Sequence, residues 1–459
     1  MRRTLAVFAV ALLSLAAAAF AALRPRGSTP DLQGKVPPQV VRAGVLSISA
    51  QLDRRYVSES RGGEAYLEVI ASADGNVVEG AKVPVNAVLI LDRSGSMTGE
   101  KLARAKDAAR ELLSRLDGGD RFALVDFGST ARVLVPSMSA TGAAKERALQ
   151  LVSALQADGG TNLSAALELA GPELRSGHAA GRVDKVFLAS DGQANEGISS
   201  RIGLMEVARR ALGEATVSTF GVGEDYDQDM MTSLATQAGG MTHYIQRADE
   251  IVPAFRAELQ RAAKVVARRV RLIVQPSAGA RVEQVVGYES DGGWVRLPDF
   301  SAGERRRVLV KLQLPPGHGQ VELAKVNLSF VADDGAEASA ATAASATYTA
   351  DEKQASVRKG EAAYQGARAE MAVLATEAAD HAAGGRVAEA HLRMAKMSQL
   401  NAFAAENAPK DADRKAAEAE LKNYQQLVGS IAAAPAGAAA PPPAKAAKQQ
   451  AFDSLRSAY

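Results

Sequence analysis

Leu89-Ile90-Leu91-Asp92-Arg93-Ser94-Gly95-Ser96-Met97 closes a mostly apolar run that begins at Val85. Such a run reads as a buried strand of a parallel sheet, which is apolar on both faces. It stops abruptly at one carboxylate and two hydroxyls on alternate positions, with a glycine between the serines. In open α/β sheets, ligands sit just beyond the carboxyl ends of the strands. Carboxylate and hydroxyl oxygens are hard donors. They suit a hard divalent cation, Mg²⁺ above all, which takes six oxygens in a near-octahedral shell and usually keeps several waters.

Downstream of this strand the chain alternates between strand and helix patterns. Residues 100–116 have apolar positions at helical spacing, 121–127 form a strand, 131–138 a short hairpin partner and 143–155 a helix. Asp158-Gly159-Gly160-Thr161-Asn162 is a tight loop whose asparagine caps a helix from Leu163. Residues 185–190 are a strand ending at Asp191-Gly192, and strands over 216–222 and 241–245 alternate with helices over 202–212, 230–238 and 251–263. This pattern predicts an α/β fold with a doubly wound, mostly parallel sheet. All its strand-end loops open on one edge, so Asp92, Ser94, Ser96, Thr161 and Asp191 converge there as three hydroxyls and two carboxylates.

Outside this unit the period changes to two. Residues 44–52 and 65–73 read as half-buried strands before it, and Val308, Val310, Leu312, Leu314 and Val326, Leu328, Phe330 repeat the pattern after it. The simplest arrangement is one β-sandwich built from both flanks, with the α/β unit inserted; two separate β units are the alternative. The expected organisation is a signal peptide or N-terminal anchor over residues 1–23, a linker over 24–43, a β segment over 44–82, the α/β domain over 83–263, a second β segment over 264–350, a helical domain over 351–431 and a low-complexity tail over 432–459. Arg2 and Arg3 precede about twenty mostly apolar residues, 4–23, and Ala17-Ala18-Ala19 and Ala19-Phe20-Ala21 offer small-x-small cleavage sites. A run of that length also reaches across a bilayer as an uncleaved anchor. Either way the chain is expected to be exported: periplasmic, cell-surface or anchored in the inner membrane facing outward.

The 459 residues contain 54 Lys and Arg against 52 Asp and Glu, a balance that argues against nucleic acid as partner. There is no cysteine, which excludes a disulfide, a zinc–thiolate site and a thiol nucleophile.

The Asp-x-Ser-x-Ser motif, followed by a distant threonine and a later aspartate, resembles the metal-ion-dependent adhesion site of von Willebrand factor type A domains. Asp92, Ser94, Ser96, Thr161 and Asp191 match it in order; 124–127 and 220–223 are also similar to family stretches. The resemblance covers residues 83–263. More loosely, the flanks resemble bacterial exported proteins of the inter-α-trypsin-inhibitor and calcium-activated-chloride-channel-like group. It implies that Ser94 and Ser96 bind Mg²⁺ directly, with Mn²⁺ or Ca²⁺ as alternatives. Thr161 binds directly or through water, and Asp92 and Asp191 act largely through bridging waters. Neutral direct ligands leave the cation most of its charge, so a partner's Asp or Glu completes the shell.

The expected function is therefore protein binding rather than catalysis. A metal hydrolase needs a separate acid or base beside the ion, and here both carboxylates are assigned to holding it. A third expectation is a subunit of a cell-envelope assembly or chaperone-like complex that docks through the C-terminal helices. Weaker signals have plainer readings. Asp227 reads as a helix cap, the five histidines as surface residues, and Arg268, Arg269 and Arg271 as a solvated sheet face, with a docking patch for an acidic partner as the alternative.

Overall fold

The computed structural model describes residues 39–75, 83–191, 193–223, 226–245, 250–286, 288, 294–332, 334–358 and 360–432. The expected signal peptide or anchor, most of the linker and nearly all of the tail lie outside these residues. Among the described residues, no helix is long and apolar enough to cross a membrane.

The chain enters through β1 (Val41–Ala43), β2 (Leu46–Leu52), β3 (Tyr56–Ser58) and β4 (Gly63–Ala73), the first of which lies inside the stretch read as linker. The α/β domain then runs through β5 (Val85–Asp92), α1 (Glu100–Arg115), β6 (Arg121–Phe127), β7 (Ala131–Ser139), α2 (Gly142–Ser153) and α3 (Leu163–Gly177). It continues through β8 (Val183–Ser190), α4 (Arg201–Leu212), β9 (Thr216–Val222), α5 (Gln228–Gln237), β10 (Thr242–Ile245) and α6 (Ile251–Ala262). Its sheet has the order β10-β9-β8-β5-β6-β7, parallel throughout except where β7 pairs antiparallel with β6. All eight residues of β5 are buried. Val85, Ala87, Leu89 and Leu91 pack towards α1 and α6, while Val88 and Ile90 pack towards α3, α4 and α5. Helices on both faces leave no position for polar side chains, which is why the strand is nearly continuous in apolar residues.

The chain returns to β structure in β11 (Val265–Pro276), β12 (Arg281–Val285), β13 (Trp294–Arg296), β14 (Phe300–Ser301), β15 (Arg305–Leu314), β16 (Gln320–Ala332) and β17 (Glu337–Thr349). One sheet has the order β1-β2-β4-β15-β12 and the other β13-β11-β16-β17-β3. Strands from before and after the α/β domain thus share both sheets, and the two sheets close on one core containing Ile48, Leu67 and Val69 from one side and Leu272, Val326 and Leu328 from the other. β4 and β15 pair in register, Val69 opposite Val308 and Ala65 opposite Leu312. Entry and exit of the inserted domain are tied by a hydrogen bond from the Val83 N–H to the Ala263 carbonyl, 3.4 Å. The arginines of β11 do not form one solvated face. A bulge between Arg268 and Arg271 interrupts the alternation and leaves Arg268 half-buried.

A buried charge cluster crosses the sheet well short of the strands' carboxyl ends. Glu258 of α6 is 1% exposed and meets Lys185 Nζ of β8 at 2.9 Å, and it accepts a hydrogen bond from the Ser218 hydroxyl of β9 at 2.7 Å. His243 Nε2 of β10 stands 3.2 Å from its other oxygen, and this histidine is half-buried rather than a surface residue. Burial raises the carboxyl pKa, but the charges of Lys185, His243 and Arg261 outweigh it and hold Glu258 well below the usual range.

The short α7 (Glu352–Ala355) precedes three long helices, α8 (Glu361–Ala383), α9 (Val387–Asn407) and α10 (Asp411–Ala432), joined through small alanine-rich clusters. They dock on the sandwich. Ala369 packs on Val286 and Leu309, the Tyr66 hydroxyl donates to Glu370, and Arg307 meets Glu361 at 3.1 Å. A Cβ at Gly366 would lie 2.5 Å from the Tyr66 ring, so only glycine lets α8 approach this closely.

Candidate metal centre

β5 carries Asp92 into the interior, where it is fully buried. Its Oδ1 accepts the Ser94 N–H at 2.7 Å and its Oδ2 accepts the Ser190 hydroxyl at 2.5 Å. The chain then makes a 3₁₀ turn over Gly95–Met97, anchored by the fully buried Met97. This turn brings the Ser94 and Ser96 hydroxyls to 3.0 Å of each other, and the Ser96 hydroxyl donates to Asp191 Oδ1 at 2.8 Å. Asp191, also fully buried, follows β8, the strand beside β5. Four of the five residues picked out in the sequence therefore form one hydrogen-bonded chain: Asp92, Ser94, Ser96, Asp191.

The loop that carries Thr161 is tied by its backbone to the serine turn. The Gly95 N–H donates to the Gly159 carbonyl at 2.9 Å and the Asp158 N–H to the Arg93 carbonyl at 2.8 Å. The Thr161 N–H donates to Asn195 Oδ1 at 2.8 Å, and its carbonyl accepts the Asn195 N–H at 3.1 Å. Its side chain is buried, and among the described residues its hydroxyl makes no hydrogen bond to the other four. The Asn162 cap on α3 is formed at 3.2 Å, and the Asp227 cap on α5 at 3.0 Å.

Sequence reasoning missed three participants. Lys101, in the first turn of α1, places Nζ 2.6 Å from Asp191 Oδ2. Ser190 and Asn195 complete the hydrogen bonding of Asp92 and Thr161. The Asp-Gly signal that marks Asp191 has Ser190 just ahead of it, but a serine ending an apolar strand carries no signal of its own. Lys101 shows only as one of many surface-type lysines in an amphipathic helix.

The electrostatics of the two carboxylates differ. Asp191 has Lys101. Asp92 has no cation against it among the described residues. Burial pushes its pKa up, the hydrogen bonds from Ser190 and Ser94 pull it down by less, and the Asp191 charge adds to the rise. Among the described residues, no group of three or more His, Cys, Asp and Glu converges as a metal site. The donor set here is hydroxyl-led instead, and its spacing can be tested against an ion. Oxygens at Mg²⁺ distance in an octahedron stand about 2.9–3.0 Å from their neighbours. The serine pair at 3.0 Å fits that edge.

Residues 86–256 match the family model of the von Willebrand factor type A domain. The Synechocystis protein sll0103 is 32% identical over 279 residues, a match taking in 56% of this chain and 64% of that one. Bovine inter-alpha-trypsin inhibitor heavy chain H4 is 26% identical over 170 residues, 36% of this chain and 19% of its own length. The chain thus spans less than two thirds of either relative. A solved von Willebrand factor type A structure from Catenulispora acidiphila superposes with a TM-score of 0.65 over 86% of this chain and 91% of that one, at 20% identity, a likeness of fold.

Proposed function

Residues 86–256 form a von Willebrand factor type A domain, and from that premise we propose that the chain is an exported, Mg²⁺-dependent protein-binding module. The supporting observation is Asp92, a fully buried carboxylate answered by a hydroxyl and an N–H but by no cation among the described residues. A cation supplied from outside relieves that burial cost. Ser94 and Ser96 hold it through their hydroxyls, Thr161 directly or through water, and Asp92 and Asp191 through bridging waters. Bound there, the ion supplies a positive charge only partly neutralised by its direct ligands, and a partner's Asp or Glu side chain completes its shell. The apolar stretch 4–23 behind Arg2 and Arg3 supports export, as a cleaved signal or as a membrane anchor. The C-terminal helices are a weaker docking element, since α8 already uses its face against the sandwich through Ala369, Glu361 and Glu370.

Calorimetric titration of Mg²⁺ and Mn²⁺ into the full chain tests this. One saturable site is expected in the wild type and none in Asp92→Asn. Acetate should alter the paramagnetic resonance spectrum of bound Mn²⁺ by entering its shell. A wild type that binds neither ion rules out the metal. A spectrum indifferent to acetate rules out the carboxylate contact.

A further inference from the structure

The opposite edge of the central sheet holds a cleft of about 340 Å³ where the α/β domain meets the sandwich. It opens beside the starts of β8 and β9, whereas the candidate metal centre lies beyond the end of β8. Arg175 comes from the last turn of α3, Arg182 from the turn before β8, and Arg268 and Arg269 from the bulge of β11.

The carboxylates that line the cleft already have partners. Asp184 accepts from Asn86 at 2.7 Å and meets His178 at 2.5 Å. Glu214 pairs with Arg271 at 3.0 Å, and Asp299 accepts the Thr216 hydroxyl at 2.7 Å and the Arg269 N–H at 3.3 Å. Among the described residues, none of the four arginine side chains has a carboxylate partner. Three of them donate to carbonyls: Arg175 to Ala211 at 3.2 Å, Arg182 to Gly177 at 2.9 Å and Arg268 to Arg182 at 2.7 Å. Arg182 Nε is buried with no hydrogen-bond partner.

Capping of helix carbonyls accounts for Arg175 and Arg182. It does not account for Arg269, whose φ of +53° places a non-glycine residue in the left-handed region at a cost of order 1–3 kcal/mol. In a regular strand, consecutive side chains point to opposite faces. Here the bulge lets Arg268 and Arg269 line the same cleft. The backbone is strained at a residue that lines the cleft and whose side chain, among the described residues, pairs with none of its carboxylates.

We infer that this cleft binds a small organic phosphate. Guanidinium forks match the oxygens of a phosphate group, and Leu174, Val183 and Leu212 offer an apolar wall to the organic part. The volume lies at the small end of the range for ligand clefts, about 300–1,000 Å³. A recessed site between two domains suits a soluble ester rather than a headgroup held in a bilayer.

The test titrates inorganic phosphate and glucose 6-phosphate into the full chain by calorimetry, with chelator present to keep Mg²⁺ out of the binding. Saturable one-site binding is expected, tighter for the ester. Arg268→Ala should weaken both by about tenfold, the loss of one charge-assisted contact. Arg269→Gly removes a guanidinium while suiting the positive φ, so it should fold at least as stably as the wild type and still bind several-fold more weakly. Mg²⁺ titrations of both variants should match the wild type, which separates this site from the metal centre. No saturable binding of either probe, or equal binding by the variants, overturns the inference. So does retention on phosphatidic acid vesicles without binding of the soluble ester, which would point to a lipid headgroup.

Discussion

Two buried carboxylates on the central sheet meet opposite treatment. Glu258, set across β8, β9 and β10, is met by Lys185 at 2.9 Å and by His243 at 3.2 Å, and its charge is held on. Asp92, at the carboxyl end of β5, is met by a hydroxyl and an N–H, and its charge is disfavoured. Hydrogen bonds offset only part of the desolvation of a buried ion. The first region is therefore complete as folded, and in the second a cation, if bound as proposed, would offset the remaining cost. Such a contrast separates a structural ion pair from a candidate binding site without reference to any motif.

The contrast can be broken most directly at Glu258. Glu258→Ala leaves Lys185 buried without its partner and should cost about 3–5 kcal/mol in denaturant unfolding, whereas replacing both residues by apolar ones should recover most of that. The pH dependence has a fixed sign. Because the folded pKa of Glu258 lies below its ordinary value of 4.5, its contribution is fully present above pH 4.5. It is lost as the pH falls below 4.5 through the folded pKa. The stability gap between wild type and Glu258→Ala should stay level above that window and close within it. A gap that widened with acid would mean the ion pair has been misread.

Lys101→Met sharpens the comparison at the other region. It removes the one cation beside Asp191 among the described residues and makes that carboxylate resemble Asp92, so Mg²⁺ should bind about three- to tenfold more tightly. Unchanged or weaker affinity in calorimetry would show that Lys101 helps the ion rather than competing with it. The smallest expected effect discriminates best. Asp92→Asn removes a charge that the fold disfavours, so the metal-free variant should unfold within about 1 kcal/mol of the wild type. A loss as large as that of Glu258→Ala would make the two regions equivalent.

What the sequence displays follows from how local each feature is. The serine turn is contiguous, so its hydroxyl spacing is readable, and Asp191 is marked by the glycine after it. The alternation in β4 and β15 predicts a sandwich because each strand presents its own pattern. Lys185 is hidden by its apolar neighbours in β8, and Glu258 by a helix that otherwise reads as amphipathic. Their meeting depends on how α6 packs across the sheet, which no local pattern encodes. Arg269 and Arg271 are exposed as their type suggests, but Arg268 is half-buried because the bulge of β11 breaks the regular alternation of the strand. His243 is likewise a surface residue by type, yet packs with its ring centroid 4.8 Å from that of Phe220.

The pairing of β4 with β15 also sets a clock. Roughly 230 residues separate the end of β4 from the start of β15. A ribosome adding about 5–20 residues each second takes roughly ten to fifty seconds to make them. Throughout that interval β4 lacks the strand it joins at Leu67 and Val69, while the inserted domain closes on contacts between neighbouring segments. The nascent chain must therefore carry an unfinished half-sandwich beside a finished α/β domain, and its open strand edges are the surface on which two growing copies would associate.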